Sequence, residues 1–99
     1  MIQTIADALA TQGYDSLTPV QEAVTNPDLV EADLLVSAQT GSGKTVAFGL
    51  AIAPTLLGDD EKFGHAGAPL ALIIAPTREL AMQVSRELTW LYGKAGAVV

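Results

Sequence analysis

An α/β fold, with a parallel sheet flanked by helices, is predicted for this 99-residue chain on three observations. Segments with helical apolar spacing alternate with short apolar runs, the pattern of strands joined by crossover helices. One run, Leu70-Ala71-Leu72-Ile73-Ile74, carries no polar residue, as a strand covered on both faces requires. A glycine-rich stretch at 38–45 lies between an apolar run and an apolar helical segment, which is a strand–loop–helix unit. With 49% hydrophobic residues the chain can fill a core, and its length fits one small domain, taken as residues 1–99.

The elements follow in order. Ile2, Ile5, Ala6 and Leu9 fall at helical spacing, which predicts a helix over 2–12 with Gly13 as its stop. Thr18, Pro19 and Gln21 are a threonine cap, a first-turn proline and a capping-box partner, so a second helix starts there and runs to Asn26 before Pro27. Asp33-Leu34-Leu35-Val36-Ser37 reads as a short strand. A third helix opens near Gly43 and bends or stops around Pro54. Residues 58–68 are a solvated loop in which Asp59, Asp60 and Glu61 are surface charge. The 70–74 strand comes next. Pro76 and Thr77 open a fourth helix, with Leu80, Val84, Leu88 and Leu91 on its core face and Trp90 and Tyr92 covering the edge of that core. Gly93 ends it, and Ala97-Val98-Val99 reads as the start of another strand, so the chain is expected to be truncated. The predicted order is α-α-β-α-β-α-β.

The chemistry is concentrated in Ala38-Gln39-Thr40-Gly41-Ser42-Gly43-Lys44-Thr45. The stretch fits the phosphate-loop pattern G-x-x-x-x-G-K-[ST], with alanine in the first place. Gly41 and Gly43 let the backbone turn so that successive N–H groups face one anion. The following helix adds unpaired N–H groups and the positive end of its dipole. Lys44 can reach β- and γ-phosphates, and the Thr45 hydroxyl can ligate Mg²⁺. A bare Gly/Ser turn before an ordinary helix is the competing reading. The apolar runs on both sides argue against it.

Two other stretches gain meaning beside this one: Gly13-Tyr14-Asp15-Ser16-Leu17-Thr18-Pro19-Val20-Gln21 and Pro76-Thr77-Arg78-Glu79-Leu80-Ala81. Together, and in this order, the three resemble the Q motif, motif I and motif Ia of the first RecA-like domain of DEAD-box RNA helicases. The resemblance covers nearly the whole chain. It implies an incomplete P-loop NTPase (RecA-like) fold, ATP and Mg²⁺ as ligands, and RNA as partner. Lys44 and Thr45 are then the candidate catalytic residues and Thr45 the metal ligand. Gln21, Thr40, Gly41, Ser42, Gly43, Lys44 and Thr45 form the candidate ATP site, and Thr77 and Arg78 the candidate RNA contacts. A side-chain amide at Gln21 can match adenine's N6 donor and N7 acceptor, whereas guanine presents O6 instead. From spacing alone Gln21 reads as the capping-box partner of Thr18, and Arg78 as a surface arginine paired with Glu79 or Glu87; the resemblance reverses both readings.

This sequence departs from the family pattern in several places. Leu17 stands where the family usually has proline. No aromatic precedes Tyr14, although the family usually stacks one on adenine. The tetrapeptide Asp-Glu-Ala-Asp, the Ser-Ala-Thr motif and the second RecA-like domain are not in this sequence. Hydrolysis by these 99 residues alone is therefore not expected. In the resembled fold, later strands lie between the phosphate-loop strand and the motif Ia strand, so exposed strand edges are expected here. A DNA translocase of the same superfamily and a non-catalytic nucleotide-binding stub are the rival readings.

Charge and composition narrow the classes further. Net charge is −6, and the cations are Lys44, Lys62, Arg78, Arg86 and Lys94. That balance is wrong for a strong nucleic-acid binder acting alone, so RNA contact by this segment is expected to be weak. Without cysteine there is neither a disulfide nor a thiolate metal site. His65 is the single histidine, in a glycine-rich loop with no clustered ligands. No basic, apolar leader opens the chain, and the apolar run at 46–57 falls short of the roughly 20 residues a bilayer span needs. No membrane association and a cytoplasmic location are the expectation.

Overall fold

The computed structural model describes residues 1–39 and 41–99. Four α-helices, α1 (Gln3–Thr11), α2 (Pro19–Val24), α3 (Lys44–Leu57) and α4 (Arg78–Gly93), and a 3-10 turn at Pro27–Leu29 are formed among them. α2 packs on α3, and both α1 and α3 pack on α4. The core lies where α1, α3 and α4 meet: Ile5 and Leu9, Val46, Leu50, Ala53 and Leu57, then Val84, Leu88, Leu91, Tyr92 and Ala95.

Local sequence explains most helix boundaries. Thr18 and Gln21 form the complete reciprocal capping box at the start of α2, with Pro19 at the first helical position. α2 ends earlier than expected, at Val24. The Asn26 side chain accepts from Asp28 N–H at 2.9 Å and starts a 3-10 turn there, so local side-chain bonding wins over helix continuation. α3 does not stop at Pro54 but runs a turn further. Proline so close to the end removes a single intrahelical bond, and buried Leu57 anchors the last turn in the core.

The predicted sheet is not seen. Residues 33–37, 71–74 and 97–99 take no regular secondary structure, Leu70 lies in a bend, and no strand is formed among the described residues. No backbone hydrogen bond joins any two of these runs. A strand is held by its ladder, and the one backbone bond made by an N–H of these runs, from Ala97 to the Tyr92 carbonyl at 3.3 Å, returns to the end of α4. Their apolar side chains are consequently exposed: Leu35 fully, and Leu70, Leu72, Ile74, Val98 and Val99 largely so.

Two side chains on α4 differ from expectation. Leu80 is 38% exposed although it shares the stripe of Val84, Leu88 and Leu91. The neighbouring 76–79 and 70–74 residues are exposed as well, apart from half-buried Ala75, so little covers that first turn. Tyr92 is core rather than edge, 4% exposed, and its hydroxyl donates to the Gly49 carbonyl of α3 at 2.5 Å. Gly49 also lets α4 pack closely there, because a Cβ would meet Leu91 Cδ2 at 2.6 Å and Leu88 Cδ2 at 3.1 Å. Trp90 behaves as predicted: half-buried, with its ring 5.8 Å from that of Tyr14.

Glu61 is more than surface charge. Its carboxylate accepts from Gln3 N–H at 3.2 Å and Thr4 N–H at 3.3 Å, and its carbonyl accepts from the Thr4 hydroxyl at 2.7 Å. α1 has no side-chain cap of its own and no acid in its first turn. A loop residue far along the chain caps it instead, satisfying N–H groups that helix geometry leaves free.

Candidate phosphate-binding site

Gly41 and Gly43 both adopt left-handed backbone, with φ of 83° and 81°. Side chains other than glycine rarely tolerate that geometry. Between them Ser42 N–H closes a turn onto the Gln39 carbonyl at 3.2 Å. Gly43 then serves as the N-cap of α3. Thr40 lies outside the described residues.

The N-terminus of α3 is electrostatically unfinished. It has no side-chain cap and no acidic residue in its first turn, and its first residue is Lys44. A cation there opposes the helix dipole. The other α-helices are provided for: α1 by Glu61, α2 by its capping box and Glu22, and α4 by the Thr77 hydroxyl, which accepts from Leu80 N–H at 3.2 Å, and by Glu79. Among the described residues, the N–H groups of Lys44, Thr45 and Val46 find no acceptor. Ser42 Oγ is buried without a hydrogen-bond partner. Free N–H groups, an orphaned hydroxyl and a cation at one helix start fit a polyanion. Lys44 is exposed and Thr45 half-buried at the same place.

α2 is bonded directly to this loop. The Thr18 hydroxyl donates to the Ser42 carbonyl at 2.8 Å, and Gln21 Nε2 donates to the Gly43 carbonyl at 3.2 Å. Gln21 Oε1 accepts from Thr18 N–H at 3.0 Å. Gln21 has no exposed surface and is the one buried polar side chain among the described residues. A Cβ on Gly43 would fall on its amide. Sequence spacing pointed to the capping box, whereas the tie to the loop carbonyls had no sequence signal.

The remaining candidates are held apart from this cluster. Thr77 and Arg78 are exposed at the start of α4, with no described bond to 13–21 or 41–45. For a metal, Thr45 supplies one hydroxyl. No group of three or more His, Asp or Glu residues that could hold an ion occurs among the described residues. None of the described helices is long and apolar enough to cross a membrane.

A family profile described as DEAD/DEAH box helicase matches residues 18–99. The chain is 47% identical over 83 residues to the DEAD-box ATP-dependent RNA helicase 53 of Oryza sativa subsp. japonica, covering 84% of this chain and 14% of that protein. It is 42% identical over 83 residues to the DEAD-box ATP-dependent RNA helicase 9, mitochondrial, of Arabidopsis thaliana, again covering 84% and 14%. Among solved structures, the RNA-helicase Prp28 from Chaetomium thermophilum bound to ADP superposes with a TM-score of 0.78 at 38% identity, over 98% of this chain and 23% of that one. The chain thus spans about one seventh of the length of the curated relatives. A relative named for mitochondria gives the cytoplasmic expectation no support.

Proposed function

Because the chain belongs to the DEAD/DEAH box helicase family, we propose that it is the N-terminal, nucleotide-binding part of an ATP-dependent RNA helicase's first RecA-like domain. The observation that carries this reading is the unfinished start of α3: no cap, no acid, Lys44 in its first turn and an orphaned Ser42 hydroxyl behind it. Residues 41–44 would cradle the phosphates through backbone N–H groups, with Thr40 in the same loop. Lys44 would neutralise β- and γ-oxygens, and Thr45 would contribute its hydroxyl to Mg²⁺. When bound, that ion supplies charge neutralisation to the transferring phosphoryl group.

Gln21 is proposed to read adenine. Beyond its two bonds the amide retains one N–H and one lone pair, the pair that N7 and N6 require. Its complete burial means that base contact calls for the residue to be uncovered. Thr77 and Arg78 are proposed to touch the RNA backbone. The Thr77 oxygen caps α4 as an acceptor, which leaves its hydrogen free to donate to a phosphate. The exposed runs 33–37, 70–74 and 97–99 are proposed as strands of a parallel sheet completed by further strands of a longer protein.

Hydrolysis and duplex separation would belong to that longer protein, since this sequence contains no Asp-Glu-Ala-Asp. The test is ATP hydrolysis and strand separation by a protein carrying this segment, with and without RNA. RNA-stimulated hydrolysis that Lys44→Ala abolishes is the expected result. Hydrolysis that survives Lys44→Ala would overturn the assignment of the loop.

A further inference from the structure

We propose that residues 70–74 are a docking edge for a second copy of this chain, the two runs pairing antiparallel about a two-fold axis at Leu72. The proposal does not rest on the nucleotide reading above. It concerns groups that the fold leaves unpaired.

Backbone chemistry picks out this run. Among the described residues, no backbone–backbone bond uses an N–H or carbonyl of Leu70, Ala71, Leu72, Ile73 or Ile74. A row of unpaired N–H and C=O groups is a template for another chain, and natural sheets guard such edges with charge, proline or a bulge. No charged residue, proline or glycine lies within 70–74. Pro69 and Pro76 stand just outside it and lack an N–H, so they bound a ladder without interrupting it. The other two apolar runs are poorer candidates. Residues 33–37 carry Asp33, and in 97–99 the Ala97 N–H is already spent on the Tyr92 carbonyl.

The side chains give the run two faces. Ile73 and Ala75 line a groove of about 840 Å³ with Ile52 and Leu56 of α3 and Val84 and Leu88 of α4. Leu72 and Ile74 lie outside that groove and are 85% and 84% exposed, against 40% for Ile73. This is the period of two by which a strand presents alternate side chains. In an antiparallel pair facing residues share a face, so a register centred on Leu72 sets Leu72 against Leu72 and Leu70 against Ile74. All five residues of each copy then pair. With Val98 and Val99, which are more than half exposed at the same groove, these side chains offer apolar area on the scale of the about 800 Å² that each partner gives to a stable interface. A net charge of −6 makes the copies repel at long range, so the contact is apolar and salt should strengthen it.

Analytical ultracentrifugation of the 99-residue chain over a concentration series, at low and high salt, tests this. A monomer–dimer equilibrium that tightens with salt is expected. Leu72→Lys sets two like charges directly opposite each other and should weaken the dimer at least about tenfold. Leu35→Lys, at a site that is fully exposed, should stay within about twofold of wild type. A chain that is monomeric throughout, growth beyond the dimer, or equal weakening by the two lysines would overturn the proposal. Circular dichroism checks that the variants keep their helices, and a second pair of variants decides if one does not. The chain has no cysteine of its own, and residues directly opposite on paired strands lie within disulfide reach. Under an added oxidant Leu72→Cys should therefore cross-link to a dimer faster than Leu35→Cys. Equal rates would overturn the two-fold pairing.

Discussion

Replacing Gly41 and Gly43 by alanine, singly, measures the contact between α2 and the loop. The two glycines have nearly the same backbone, φ 83° and 81°. Left-handed geometry costs alanine about 1–2 kcal/mol at either position. Their surroundings differ. A Cβ at Gly41 meets nothing within 4 Å among the described residues, whereas one at Gly43 falls on the Gln21 amide, 3.3 Å from its Cδ, and lies 3.7 Å from Thr18 Cγ2. Because Gln21 is fully buried, it cannot swing into solvent to make room. Gly43→Ala should therefore also lose the bond to the Gly43 carbonyl and weaken the capping box, about 1 kcal/mol each. The expectation is a loss of about 1–2 kcal/mol for Gly41→Ala and about 3–4 kcal/mol for Gly43→Ala. Urea unfolding followed by circular dichroism reads both values. A double-mutant cycle with Gln21→Ala should remove most of the excess at Gly43. Equal costs at the two glycines, or an excess that survives Gln21→Ala, would refute the contact.

Other consequences follow from the same packing. Gly49→Ala gains helix propensity, about 1 kcal/mol, but drives a Cβ into Leu91 and Leu88 at 2.6 and 3.1 Å. Overpacking should win, for a net loss of about 1–2 kcal/mol by denaturant unfolding. Glu61→Ala should cost about 1 kcal/mol and speed hydrogen exchange at the Gln3 and Thr4 amides while leaving the α4 amides unchanged. Burial pushes the Tyr92 phenol above its usual range. Its neutral form is the one the fold holds, so its stabilisation is complete below the unfolded value of about 10 and is lost as pH rises from there toward the folded value. Stability measured between pH 9 and 11 should fall in wild type and fall less steeply in Tyr92→Phe.

What could be read from the sequence was local. Thr18, Pro19 and Gln21 announce their helix within four residues, and Thr77 announces α4 in the same way. Glycines at 41 and 43 followed by Lys44 and Thr45 announce the loop, because nest geometry and helix start are set by adjacent residues. The ties that shape the site are not local. Gln21 reaches Gly43 across 22 residues, Tyr92 reaches Gly49 across 43, and Glu61 reaches Gln3 across 58. No spacing rule reports such pairs. For Tyr92 a signal was present, since it lies four residues after Leu88 on the same helix face. The apolar runs at 33–37, 70–74 and 97–99 were read as strands, and no strand is formed there. A ladder depends on what lies alongside, and that is a property of partners rather than of the run itself.

The central claim is that the loop at 38–45 holds a nucleotide by its phosphates. Calorimetric titration of the 99-residue chain with ATP and Mg²⁺, beside Lys44→Ala and with GTP as the comparison, tests it most directly. The account predicts saturable binding of ATP, weaker binding of GTP, and a loss of at least about tenfold on Lys44→Ala, the scale of one charge-assisted contact. Binding that Lys44→Ala leaves unchanged, or no binding of ATP by the folded chain, would contradict it.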